Sequence, residues 1–150
     1  VAESRITDAT RRSRQMMIGG LVGAHAAGGL ILLLAVLVGG PGAVLTTVLG
    51  FAAVVIFYSV GQALEVVASE FGDMQGMALV LVSYAVRVVG IAAGLWFILG
   101  HPAVAPQVRD GWLLLSVVGT VLAWVTGVVL VASRQRVPVY DTEYRPPSDQ

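Results

Sequence analysis

Ser83-Tyr84-Ala85-Val86-Arg87-Val88-Val89-Gly90, residues 83–90, set one arginine in the middle of an apolar segment running from about Met77 to Leu99. A guanidinium cannot shed its charge, and centring it in a bilayer costs at least ~2.5–3.5 kcal/mol. Arg87 must therefore snorkel, reach water, or find polar partners on neighbouring helices.

Outward from this segment the chain is still more apolar. No charged side chain occurs from Gln15 to Leu64. Hydrophobic residues make up 57% and charged residues 12% of the 150, with mean hydropathy +0.84. Such a run has no polar face for water, so an integral membrane protein is expected. Apolar segments are predicted at about 16–38, 43–67, 77–99 and 112–132. Each holds 21–25 residues, enough for ~30 Å at the helical rise. Gly39-Gly40-Pro41-Gly42 reads as a tight break between the first two. Ser69-Glu70-Phe71-Gly72-Asp73 is a short acidic connection, and Gly100-His101-Pro102 with Pro106 and Arg109-Asp110-Gly111 a polar one. The predicted fold is thus all-α, with four transmembrane helices in two antiparallel hairpins.

A polar basic segment at 1–15 precedes this 16–132 domain, and a polar tail at 133–150 follows it. The first apolar stretch exceeds the 7–15 residues of a signal-peptide core, so a retained span is expected. Seven of the nine arginines lie in the two terminal segments, which predicts both termini in the cytoplasm. Trp96, Phe97 and Trp112 would then form an aromatic belt at the outer interface.

Several polar side chains fall at similar depth, ~12–15 Å from those cytoplasmic ends: His25, Tyr58, Arg87 and, among the aromatics, Trp124. On the second helix Tyr58, Gln62, Glu65 and Ser69 follow i, i+4, i+7, i+11, which is one face. On the third, Ser83, Tyr84 and Arg87 share a face. An intramembrane cluster of Arg87, Tyr58, Gln62, Glu65, His25, Tyr84 and Ser83 is the candidate site. It serves an ion path, a proton relay or a partner's carboxylate, or else it satisfies a structural arginine within the bundle. Glu65 and Arg87 differ in depth by ~12 Å, so a chain bridged by water or Gln62 is expected in preference to a direct salt bridge. His25, among small residues, equally fits a helix-packing hydrogen bond, and Trp124 a filler. Gly19 and Gly23, and Gly90 and Gly94, form two G-x-x-x-G pairs that allow close helix approach, internal or to an external helix.

The chemistry available is narrow. There is no cysteine and no lysine, which removes thiolate sites, disulfides and Schiff-base chemistry. His25 and His101 are predicted on opposite sides of the bilayer, so no metal site is expected, and no cofactor. No nucleophile, base and oxyanion site assembles, so no catalytic residue is named and no enzyme is expected. No basic cluster is large enough to predict a nucleic-acid partner.

The layout resembles the ATP synthase protein I family in its actinobacterial form, over roughly residues 11–140. The resemblance rests on the basic N-terminus, the four short spans, Phe57-Tyr58-Ser59-Val60-Gly61-Gln62, Tyr84-Ala85-Val86-Arg87 and Arg136-Val137-Pro138-Val139-Tyr140-Asp141. The acidic end of the second helix, Glu65 to Asp73, has no counterpart in it. The resemblance implies a non-catalytic helper of F-type ATP synthase in the bacterial plasma membrane. Its partners would be lipid and the c and a subunits, with assembly of the c-ring as its task. A role in magnesium entry has also been proposed for the family. Small-residue faces would dock c-subunit hairpins while Arg87 meets a polar or acidic group. A small ion conduit, for magnesium or protons, is the competing expectation. A structural subunit of another membrane complex is a third, and self-association is open to all of them.

Overall fold

The computed structural model describes residues 8–135. Expectations for Arg5, Arg136, Arg145 and the tail motif from Arg136 to Asp141 lie outside the described residues. The all-α class fits, but the chain has three helices, not four. Helical backbone is continuous across the first two predicted spans, giving one helix of 59 residues from Thr10 to Ala68. Met74–Gly100 and Asp110–Arg134 are the other two. All three are long and apolar enough to cross a membrane.

The first helix is not straight. It comprises α1 (Asp8–Leu34), a π-helical turn (Ala35–Gly39) and α2 (Gly40–Ala68). Extended, it would reach ~90 Å, about three bilayer cores. Yet the His25 ring on α1 meets the Phe51 ring on α2 with centroids 5.2 Å apart. The chain doubles back at Gly40, whose φ of 75° and ψ of −178° lie in a region essentially reserved for glycine. Pro41 follows at once; it lacks the N–H that a first helical turn leaves unsatisfied, so helix resumes without a loop. That is why the glycine-rich break turns the chain without interrupting its helical backbone. Gly40→Ala should cost about 1–3 kcal/mol in thermal unfolding. Gly29→Ala, with no atom within 4 Å of its added Cβ, should cost nothing. Equal melting temperatures for the two variants would refute the hinge.

Two further elements complete the bundle, α3 (Asp73–Gly100) and α4 (Asp110–Arg134), joined through a short 3₁₀ turn at Ala105–Gln107. The polar N-terminal segment is helical from Asp8, so Arg11, Arg12 and Arg14 belong to the first turns of α1. Thr10 Oγ1 lies 3.3 Å from Ser69 Oγ, and Gln135 Nε2 donates to the Arg12 carbonyl at 3.2 Å. The start of α1, the end of α2 and the end of α4 therefore meet at one end of the molecule. At the other, the Arg109 backbone N–H donates to Thr46 Oγ1 at 3.0 Å.

Packing is inverted relative to a water-soluble bundle. Ala24, Ala35, Ala43, Val54, Thr46, Thr47, Ser83, Ser116 and Thr120 are buried, while Leu30, Leu37, Val38, Leu81, Val88, Phe97 and Leu122 are exposed. Small residues bring backbones close, and large apolar ones face outward, as helices in lipid require. α1 packs on α4, and α2 packs on α1, α3 and α4. By contrast, α3 shares an extended interface with α2 alone.

A candidate intramembrane polar site

The α2–α3 register follows from two glycines. A Cβ on Gly76 would sit 2.9 Å from the Ala68 carbonyl, and one on Gly61 3.0 Å from that of Ser83. Arg87 is thus level with about Tyr58, and Glu65 lies a further ~10–12 Å along the axis. The side chains nevertheless join directly: Arg87 Nη1 is 2.8 Å from Glu65 Oε1. This corrects the expectation of a bridged chain. In an α-helix side chains lean toward the N-terminus of their own helix. In an antiparallel pair the two leanings converge, so Arg87 and Glu65 each reach toward the other. A depth count along the axis omits that reach.

Gln62 and Ser83 complete the network. Gln62 Nε2 donates to Glu65 Oε2 at 2.7 Å, and Arg87 Nη2 approaches Gln62 Oε1 at 3.4 Å. Ser83 Oγ lies 2.9 Å from Glu65 Oε1 and 2.8 Å from the Val80 carbonyl, so its one hydrogen is shared between them. The guanidinium carbon stands 5.4 Å from the ring centroids of both Tyr58 and Tyr84, within cation–π range. The cluster is therefore electrically neutral. Side-chain exposure is 11% for Arg87 and 20% for Glu65, so water screens the pair little. Arg87 is carried inside the chain by its own carboxylate.

His25 is not part of this cluster. Its Nδ1–H donates to the Leu21 carbonyl of its own helix at 2.8 Å, and its ring edge meets Phe51. Depth alone had grouped it with Arg87; α1 has no extended interface with α3, and only the rotation of each helix decides which residues meet. Trp124 is buried and fills space beside Gly20, with its ring centroid 5.6 Å from that of Tyr58.

Both G-x-x-x-G pairs are used within the chain. A Cβ on Gly19 would sit 2.8 Å from the Gly127 carbonyl, and one on Gly23 would collide with that of Ala123. On α3, Gly90 and Gly94 both receive the Phe57 ring. Spacing alone did not reveal Gly61. A Cβ there would come within 2.6 Å of Arg87 Nε, so this glycine makes room for the guanidinium. It lies three residues after Tyr58 and four before Glu65, on the same face, and a glycine there was the available signal.

No protein-family model, curated protein or solved structure matches the chain.

Two clefts meet at the cluster. One of about 270 Å³ is lined by Tyr58, Gln62, Glu65, Arg87, Trp124 and valines of α3 and α4. The other, of about 370 Å³, runs from Glu65 and Tyr84 to Ser13, Ser69 and Gly76 at the end of the bundle. The first opens sideways between α3 and α4, with α2 as its floor.

Proposed function

We propose that this protein is a non-catalytic membrane accessory protein that receives an apolar helix of a partner in the cleft between α3 and α4. The observation that carries this reading is that, among the described helices, α3 shares an extended interface only with α2, leaving a lateral cleft walled by Val88, Val125, Val128 and Val129 above the Arg87–Glu65 pair. An apolar wall suits a helix, and the polar base suits one that carries a hydrogen-bonding or acidic group at mid-depth. The resemblance to ATP synthase protein I supplies a candidate partner, the membrane sector of F-type ATP synthase in the bacterial plasma membrane. Because Gly19, Gly23, Gly90 and Gly94 are occupied internally, docking in this reading falls to the cleft. An ion conduit is served less well, because the cluster opens sideways between α3 and α4 and not along the bundle.

The test is a mild-detergent pull-down from native membranes, comparing the unmodified chain with Val129→Trp. That substitution fills the cleft from an exposed position and leaves the ion pair intact. Recovery of c or a subunits, reduced at least about tenfold by Val129→Trp, is expected. Recovery of the bait alone, or of those subunits equally with both baits, would sink the proposal.

A further inference from the structure

The α1–α4 seam carries a second feature, away from the polar cluster. An apolar groove of about 490 Å³ runs along it, with Gly19, Gly23 and Gly127 at its floor and Ile18, Val22 and Leu130 among its walls. It spans Gln15 to Gly23 on α1, ~12 Å along the helix. The two backbones close on each other at these glycines, and the larger residues on either side stand above that contact as walls.

The faces that line this groove continue into arginines. On α1 the groove positions 15, 18, 19, 22 and 23 are preceded by Arg11 and Arg14, four residues before Gln15 and Ile18. On α4, Arg134 stands four residues after Leu130 and seven after Gly127. All three arginines are exposed, and none forms an ion pair with another described residue. Thr10 and Ser13 turn toward Ser69 on α2, and Arg11 lies about 100° further round the helix from Thr10, on the groove side. Gln135 ties the two helix ends together, its Nε2 donating to the Arg12 carbonyl at 3.2 Å and lying 3.3 Å from Gln15 Oε1. Arg11 and Arg14 also sit in the first two turns of α1, where the helix macrodipole disfavours cations and favours an anion.

The geometry points to a binding site for an anionic phospholipid, its acyl chain along the α1–α4 groove and its phosphate among Arg11, Arg14 and Arg134. Charge complementarity selects the occupant, because a zwitterionic lipid would fit the groove but leave the three cations uncompensated.

Native mass spectrometry of the full chain in mild detergent tests this, with equal amounts of phosphatidylglycerol and phosphatidylcholine of identical acyl chains. The first bound lipid should be phosphatidylglycerol by at least about tenfold, with about fivefold lost per arginine replaced. The triple variant Arg11→Gln/Arg14→Gln/Arg134→Gln should show no preference, while the triple lysine variant keeps it. Val22→Trp, which fills the groove and spares every arginine, should displace the lipid. Equal binding of the two lipids by the unmodified chain would overturn the site. So would a preference surviving the glutamine variant, or occupancy unaffected by Val22→Trp. Displacement of phosphatidylglycerol by millimolar inorganic phosphate would equally overturn it, by showing an anion site that makes no use of the groove.

Discussion

Glu65→Leu lowers the stability of the protein in detergent micelles by about 3–5 kcal/mol, the cost of leaving a buried cation uncompensated. Arg87 cannot neutralise itself, and its remaining neighbours, Gln62 and the two tyrosine rings, supply dipoles and quadrupoles but no charge. Arg87→Leu is expected to cost less, since Gln62 and Ser83 still hydrogen-bond both oxygens of the Glu65 carboxyl group. Arg87→Leu/Glu65→Leu should recover most of the loss, because two apolar side chains replace a pair whose desolvation offsets its attraction. The measurement is a double-mutant cycle by unfolding in mixed micelles. A coupling of several kcal/mol is expected. Additive single effects would show that the pair, 2.8 Å apart in the structure, is not formed in the protein.

Gly127→Ala is the second large effect, about 2–3 kcal/mol of destabilisation. A Cβ at this position collides with the Gly19 carbonyl oxygen and lies 3.2 Å from the Gly20 nitrogen. Backbone atoms on the facing helix cannot rotate aside as a side chain can, so α1 and α4 must separate along the seam. Gly28→Ala makes a useful contrast. The three atoms nearest its added methyl all belong to the Phe51 ring, whose rotation accommodates part of the strain, and a smaller loss is expected. Thermal unfolding of both variants in one detergent measures the difference. Gly127→Ala melting with or above Gly28→Ala would contradict the backbone contact between α1 and α4.

These two expectations rest on unequal kinds of legibility. The apolar class could be read directly, because hydropathy is a property of composition and needs no contact to express it. Tyr58, Gln62 and Glu65 could be placed on one face of α2 from their spacing, because helical periodicity is local. That Arg87 needs polar partners follows from its charge alone. Its choice of Glu65 depended on side chains converging across an antiparallel interface, which residue counts along an axis do not include. His25 was grouped with Arg87 by depth, yet the rotation of α1 turns its ring to Phe51 and its Nδ1 to Leu21.

Helix number shows the same division. Gly39-Gly40-Pro41-Gly42 announces a change of direction, and Gly40 makes one, but a π-helical turn and an N-terminal proline keep the backbone helical on both sides. What the amino-acid sequence determined by itself was the apolar helical character of the chain, the polar stripe of α2 and the charge that Arg87 must have answered. Only the tertiary structure decided that Glu65 answers it, that both glycine pairs close inward on Gly127 and Phe57, and that the arginine-bearing ends of α1 and α4 meet. Composition and periodicity act within a few turns of one helix. Partners on other helices are set by rotation, register and side-chain reach, which no single segment encodes.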